Sequence, residues 1–188
     1  MIGSYWRNLP TCAFVAVTLI VCAAAAGESL EYAVKAVFLY KFGNFVEWPN
    51  SAFESPSSAV NVCVVGNDPF GDKLDTAVTG QHIGDRAIVV RRVAGVGRDS
   101  GCQILFAGGP DPGGVAQALD AVRGTGVLTV SDIAGSGDTP SIIRFVLRDG
   151  RVGFVIDARA ASLNGITISS KLMNLAQSVT PNPAEGWR

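Results

Sequence analysis

The sequence predicts an α/β protein: a single-domain α/β/α sandwich with a mixed sheet of about six strands, a C-terminal β-hairpin and a final helix. Three observations predict this class. Short apolar runs alternate with stretches of helical period along most of the chain. The dipeptide Asp149-Gly150 separates two alternating strands, and this is a strong hairpin signal. No internal repeat is visible, so neither a solenoid nor a propeller is expected.

The N-terminus is typical of a secretory signal peptide, residues 1–26. The first ten residues carry one positive charge and no negative charge, the next twelve are uncharged and mostly apolar, and four alanines precede Gly27. Small residues at this point fit signal cleavage. The apolar run is short for a membrane span, which needs roughly 20 residues. We expect cleavage after Ala26; an uncleaved anchor and lipidation at Cys22 are the alternatives.

The mature chain, residues 27–188, has the length of one domain. Loss of Arg7 with the signal leaves 14 of the 15 basic residues against 16 acidic residues. This slightly acidic balance lacks the basic patch that nucleic acid requires. No second apolar run reaches membrane-spanning length, so no span is expected after cleavage.

The mature chain opens with an aromatic helix, predicted over residues 28–47. Leu30, Val34, Val37, Phe38 and Phe45 fall near one face at helical spacing. Pro49 ends the helix, because the residue before proline avoids the α region. A helix with so many aromatic side chains must be buried, either in its own domain or against a partner.

The remaining elements alternate. The aspartate of Asp68-Pro69 is a good N-cap and the proline a good first helical residue, so a helix is expected from there to about Val78. A further helix near Ser169 is expected to begin at a serine cap. The other predicted elements are strands 60–65, 87–93, 102–107 and 126–130, a helix over 113–123, hairpin strands 141–148 and 151–157, a short helix at 158–162 and a final helix at 169–177.

Two cysteines, Cys63 and Cys102, remain after signal removal, each within or at the start of a strand-like run. In an exported protein such a pair more often than not forms a disulfide. Closing this loop would contribute roughly 3–4 kcal/mol in the chain-entropy model. A structural link, a redox sensor and two free buried thiols are the three alternatives. The absence of a CxxC motif disfavours thioredoxin-like chemistry.

Catalytic and cofactor signatures are missing from the sequence. The single histidine, His82, lies in a loop, where solvation is the ordinary role. No Cys/His cluster has metal-ligand spacing, and neither a nucleophile elbow nor a Walker motif is present. We therefore expect no cofactor, no metal and no enzymatic activity.

Two loop ends are candidate sites for a small ligand, because α/β sheets bind ligands at the carboxyl ends of their strands. The first contains Asn67, Asp68 and Phe70, and the second contains Ser131 and Asp132. Residues 135–138 would line the cleft beside the second loop. Asp68 and Asp132 would form a carboxylate pair only if the fold brought them together.

Several blocks occur in order and cover nearly all of the mature chain. They are YAVKAVFLYKF with FVEWP (residues 32–42 and 45–49), VCVVGNDPFG (62–71), CQILF (102–106), VLTVSD (127–132), FVID (154–157) and ISSKLMNLA (168–176). This ordered set resembles the YfiR family of periplasmic proteins. The resemblance implies a single α/β domain that acts as a regulator and not as an enzyme.

The resemblance also implies a partner and a covalent link. YfiR-like proteins repress a YfiN-like membrane-bound diguanylate cyclase by binding its periplasmic sensor domain, which keeps cyclic-di-GMP synthesis off. The family pattern implies a disulfide between Cys63 and Cys102. Well-known members carry a second cysteine pair nearer the C-terminus, and this chain has no cysteine after Cys102. A two-disulfide redox switch is therefore not expected.

We predict that an apolar surface binds the cyclase or, alternatively, a second copy of the chain in a homodimer. Aromatic side chains favour such contacts. The candidate residues come from the opening helix and the C-terminal tail: Phe38, Phe42, Phe45, Trp48, Ile166, Ile168, Lys171 and Leu172. The competing hypothesis is a periplasmic small-molecule-binding accessory protein for a sensor kinase or transport system.

Overall fold

The computed structural model describes residues 29–133 and 140–182. The predicted signal peptide and the predicted loop 135–138 lie outside the described residues. Helix α1 covers 29–41 and is followed by a 3-10 turn, Phe42–Phe45. The other elements are β1 Val46–Glu47, a 3-10 turn Asn50–Ala52, β2 Val60–Gly66, α2 Asp72–Val78, β3 His82–Ile83, β4 Arg86–Val93, β5 Ile104–Gly108, α3 Pro112–Ala121, β6 Leu128–Ser131, β7 Ile143–Arg148, β8 Arg151–Asp157, α4 Ala158–Leu163, β9 Thr167–Ile168, α5 Ser170–Met173 and β10 Ser178–Thr180.

An eight-stranded mixed sheet forms the centre of the domain, in the order β10-β8-β7-β6-β5-β2-β4-β3. Strands β4, β2, β5, β6 and β7 run parallel to one another, and β10 runs parallel to β8. The pairs β7–β8 and β4–β3 are antiparallel. The predicted α/β class with a mixed sheet is confirmed. The sheet has more strands than the expected six because two short ones, β3 and β10, extend its edges.

Alternation along the strands divides the apolar core between the two faces of the sheet. In β2, Val62 and Val64 face the core that contains α1 and α2, whereas Cys63 and Val65 face the core that contains α3. Strand β5 alternates in the same way. Because both faces are buried, these strands are nearly continuous apolar runs, as parallel strands usually are.

The opening helix is shorter than predicted, since α1 ends at residue 41 and not at 47. Gly43 explains this difference. A side chain at this position would collide with the Ile83 side chain, so the glycine allows the chain to pass close to β3. The backbone then turns, and β1 pairs antiparallel with β9 in a separate two-stranded sheet.

The predicted buried face of the opening helix is also wrong in part. Leu30, Val34 and Val37 are exposed by 67, 37 and 38%. The buried face instead includes Ala36 and Leu39, with partly buried aromatics beside it. Both stripes are apolar, so periodicity alone did not distinguish the inward face from the outward one.

Two other helices have different bounds from those predicted. Helix α2 begins at Asp72, because the Asp68 carboxylate accepts from the backbone N–H groups of Phe70 and Gly71 and holds a separate turn. Helix α5 has the predicted cap, with Ser169 Oγ accepting from Lys171 N–H, but it ends at Met173. The chain then leaves the helix and adds β10 beside β8.

The hairpin formed by β7 and β8 is confirmed. Asp149 and Gly150 both have positive φ, 51° and 71°, as a type I′ turn requires. The pairing runs from Ile143 opposite Ile156 to Arg148 opposite Arg151. Phe145 and Phe154 are directly opposite each other on the face that α1 covers.

Strand β4 has a largely open outer edge. The short strand β3 pairs only with Arg86 and Ala87, so the outer edge of residues 88–93 has no strand partner within the described chain. Val89 points away from the α1 core and is 43% exposed.

Candidate functional site

Cys63 and Cys102 are joined by a disulfide on the α3 face of the sheet. Their Cα atoms lie 5.8 Å apart, and both side chains are buried. Parallel pairing of β2 and β5 positions them, and hydrogen bonds support this end of the pair. The Gln103 N–H donates to the Asn61 carbonyl at 3.0 Å, and the Asn61 N–H donates to Gln103 Oε1 at 2.8 Å. The bond thus links β2 to the segment that leads directly into β5.

A buried ionic cluster attaches α1 to the carboxyl end of β6. Lys35 Nζ lies 2.6 Å from Glu31 Oε1 and 3.3 Å from Asp132 Oδ2, and the lysine is only 5% exposed. The Tyr32 hydroxyl donates to Asp132 Oδ2 at 2.9 Å, and Lys35 Nζ lies 4.3 Å from the Tyr32 ring centroid. Asp132 Oδ2 therefore anchors the first helix to the sheet.

A second ionic cluster is centred on Arg92 of β4. Its Nε donates to Asp68 Oδ2 at 2.6 Å, and its Nη2 donates to Asp75 Oδ2 at 2.6 Å and to the Gly71 carbonyl at 2.8 Å. The hydrogen bond from Arg92 is the main reason that the pKa of Asp75 lies below its usual value. The bonds to Asp75 and Asp68 likewise raise the pKa of Arg92. This cluster fixes the turn before α2.

The predicted ligand loops are mostly committed to internal contacts. Asp68 holds its own turn and Arg92, and Asp132 holds Tyr32 and Lys35, so each carboxylate of the predicted pair has its own cation. Phe70 is fully buried against the Tyr32 and Phe106 rings. The Ser131 hydroxyl is fully buried and lies 2.7 Å from Ser141 Oγ.

Asn67, one of the predicted ligand residues, lines a cavity. This cavity has a volume of about 470 Å³ and lies at the carboxyl ends of β2 and β5, beside α3. Its wall includes Gly108, Gly109 and Gly114, part of the run GGPDPGG between β5 and α3. Sequence reasoning missed this run, although glycine pairs between a strand and a helix were the available signal.

The predicted partner residues fall into two groups. Phe42, Ile166, Ile168 and Leu172 are buried in the α1 core, so their assignment to a binding surface is corrected: they hold the fold. Phe38, Phe45 and Trp48 are half-buried against that core, and Lys171 is exposed. Pairing of β9 with β1, together with the hydrogen bond from the Ser169 N–H to the Phe45 carbonyl, attaches this part of the tail to the domain.

Trp48 belongs to the core edge. Its ring meets that of Phe53 edge-on, with the centroids 6.0 Å apart, and the Arg86 guanidinium lies 3.8 Å from the Phe53 ring centroid. The Trp48 indole N–H is buried and has no hydrogen-bond partner in the described part of the chain. These contacts place the Trp48 ring at the edge of the α1 core.

Within residues 29–133 and 140–182, no three His, Cys, Asp or Glu side chains are grouped so that they could hold a metal ion. His82 is exposed on β3. None of the helices in the same ranges has both the length and the apolar character of a membrane span.

The architecture and its contacts define a class: a disulfide-linked, doubly wound α/β domain with a cleft at the carboxyl end of its sheet. Comparison with known families is more specific, since the profile of the YfiR/HmsC-like family matches residues 32–177. The chain belongs to the YfiR/HmsC-like family, which is in general regulatory, non-enzymatic and periplasmic. No curated protein that was compared matches the chain.

Proposed function

We propose that this protein is a periplasmic regulator that binds the periplasmic sensor domain of an inner-membrane diguanylate cyclase and represses cyclic-di-GMP synthesis. The observation that carries the proposal is the family match over residues 32–177. A regulator of this kind acts without catalytic groups, because it needs only to bind one state of its partner more tightly than the other.

The outward face of α1 is the proposed contact surface. Leu30, Val34 and Val37 are exposed and recur at i, i+4 and i+7, so they form one apolar stripe. Half-buried Phe38 borders the stripe, and an amphipathic helix that lies in a partner's groove is a common mode of recognition. This stripe replaces the buried residues that the sequence assigned to the surface.

Repression of the cyclase sets the differential binding energy that the contact surface must supply. Moving a two-state partner from mostly active to mostly inactive takes about 5.5 kcal/mol of differential binding. Complete burial of one Leu or Val side chain contributes about 1.5–3 kcal/mol. Val34 and Val37 are already more than half covered, so the stripe alone falls short. Other exposed residues, such as Lys171 from the predicted set, are expected to supply the remainder.

Capture from solubilised native membranes tests both the function and the surface. We expect the wild-type protein to retain a diguanylate cyclase, and we expect the double variant Val34→Asp/Val37→Asp to lose it, because two carboxylates would be desolvated in the interface. Val89→Asp is the matched control, since Val89 is similarly exposed but lies on the opposite face of the sheet. Failure of the wild type to retain any cyclase would contradict the function. Equal retention by both variants would contradict only the surface.

The same capture, repeated with reductant, tests the role of the disulfide. Retention only under oxidising conditions would give the Cys63–Cys102 bond a regulatory role. Retention under both conditions would leave it a structural link.

The second candidate function is a small-molecule-binding accessory protein for a sensor kinase or transport system. The cavity beside Asn67 favours it, because pockets of roughly 300–1,000 Å³ are typical of small-molecule sites. Retention of a kinase or a transport receptor in place of a cyclase would support this alternative.

A further inference from the structure

The cavity beside α3 lies at the topological switch point of the sheet. From β2 the chain crosses through α2 to β4 on one side, and from β5 it crosses through α3 to β6 on the other. Right-handed crossovers in opposite directions place the two helices on opposite faces, as the separate α2 and α3 cores show. No helix therefore covers the gap between the carboxyl ends of β2 and β5. In open α/β sheets this gap is where ligands bind.

Glycines allow the backbone segments at the carboxyl ends of β2 and β5 to approach each other closely beside the cavity. Gly66 and Gly109 have positive φ, 82° and 131°, and a side chain at Gly66 would collide with the Gly108 carbonyl. A side chain at Gly108 would collide with the Phe106 ring. These glycines bring the backbone to the cavity wall. The floor and the α3 side are apolar, with Val65, Ala107, Val115 and Ala118 among the lining residues.

The charge of the residues that line the cavity indicates the charge of the ligand that it would bind. Among the described residues, no Lys, Arg or His lines the cavity, and Asp111 is the single charged residue of this lining. The Asp111 carboxylate already accepts from the N–H groups of Gly113 and Gly114, at 3.0 and 3.1 Å. The amide groups that could hold a phosphate at the start of α3 are thus occupied by an anion. A phosphate or carboxylate ligand would have to displace this carboxylate and would be repelled by it.

We propose that the switch-point cavity binds a small organic cation, with an apolar body against Val115 and Ala118 and an amine near Asp111. The carboxylate retains lone pairs beyond the two backbone hydrogen bonds, so it can accept from an ammonium group. Asn67 and Gln117 add polar side chains to the lining. This site is independent of the partner surface on α1, and it is distinct from the loop that contains Asp132.

Amide NMR spectroscopy of residues 27–188 tests the proposal with three probes that share a phenethyl group and differ in charge. They are phenethylamine, the neutral phenethyl alcohol and the anionic 3-phenylpropanoate. We expect phenethylamine to shift the amide signals of Asn67, Gly109 and Gln117, with a Kd on the order of 1 mM for a probe of this size. The alcohol should bind about tenfold more weakly and the anion more weakly still. Equal binding of all three, or shifts confined to other regions, would overturn the proposal.

Three variants locate the site. Asp111→Asn keeps one of the two cap hydrogen bonds through its amide oxygen, since Asn is also a favourable N-cap residue, and it should reduce the affinity for the amine to that for the alcohol. Gly95→Phe should block binding by filling the cavity, since open space surrounds a side chain at this position. Gly97→Phe is the matched control, also in open space but outside the cavity lining, and it should bind normally. Unchanged amine affinity in Asp111→Asn or in Gly95→Phe would contradict the assignment.

Discussion

Gly43 is the residue at which close packing redirects the chain. A methyl group there would overlap the Ile83 side chain and would also lie 3.2 Å from the Trp48 ring. We predict that Gly43→Ala lowers the free energy of unfolding by about 1–3 kcal/mol, because overpacking forces neighbouring side chains to move. Urea unfolding measures the change. Gly97→Ala is the control and should be nearly neutral, because nothing lies within 4 Å of its added methyl group. Equal stability of the two variants would contradict this account of the turn.

The Arg92 cluster makes stability depend on pH in the acid range. The pKa of Asp75 is lowered by its hydrogen bond from Arg92, so its contribution is present above its ordinary value of 3.8 and is lost as pH falls through the lower folded pKa. The side chain is half exposed, so we predict that Asp75→Asn costs less than about 1 kcal/mol at neutral pH. Urea unfolding at about pH 7 and about pH 2 should show this difference and then its disappearance. If wild type and Asp75→Asn still differ in stability at about pH 2, the difference comes from packing and not from the charge of Asp75.

The disulfide is the strongest local constraint on the paired elements β2 and β5. Its cysteines are 39 residues apart, and a loop of this length corresponds to about 4 kcal/mol in the chain-entropy model. We predict that Cys63→Ala/Cys102→Ala loses about this amount in denaturant unfolding. Reductant should destabilise the wild type by a similar amount and leave the variant unchanged. A small loss of stability in both the double variant and the reduced wild type would mean that the chain holds β2 beside β5 without the disulfide.

The elements that the sequence predicted well are those with a local cause. Asp149-Gly150 specifies its own turn, and the apolar runs of β2 and β5 are long enough to show a pattern. The missed strands β1, β3, β9 and β10 have only two or three residues each, too few for any periodicity. Their conformation depends on partners far away in the sequence.

The candidate site was predicted less well, for a related reason. The predicted ligand loops follow the ends of strands, and they lie at the carboxyl edge of the sheet, where the cavity also lies. It did not show that Asp68 would meet Arg92 or that Asp132 would meet Lys35, because those contacts join distant segments. The residues predicted to form a partner surface are mainly aromatic and aliphatic. Side chains of these types occur both in the core and on the surface, so residue type did not show which of them would be exposed.

At the scale of the whole molecule, the ionic cluster couples the first helix to the sheet. Lys35 and Asp132 are separated by 97 residues, and both side chains are at least nine-tenths buried. We predict that Lys35→Met lowers the free energy of unfolding by about 3–5 kcal/mol, because Asp132 is left buried without its cation. Denaturant unfolding of Lys35→Met, Asp132→Asn and the double variant measures the coupling. Additive losses would show that the two charges do not act as a pair.

The open edge of β4 has a consequence for aggregation of the protein at high concentration. An unpaired strand edge can add the strand of another molecule, and repeated addition leads to aggregates. Within residues 88–93 the chain places Arg91 beside Arg92, and Arg91 extends to the Ser100 carbonyl at 2.8 Å. Arg92 is neutralised by two aspartates, whereas Arg91 has no acidic partner among the described ion pairs. Its charge makes stacking of further strands on this edge costly, and so it favours a dispersed protein even at high local concentration.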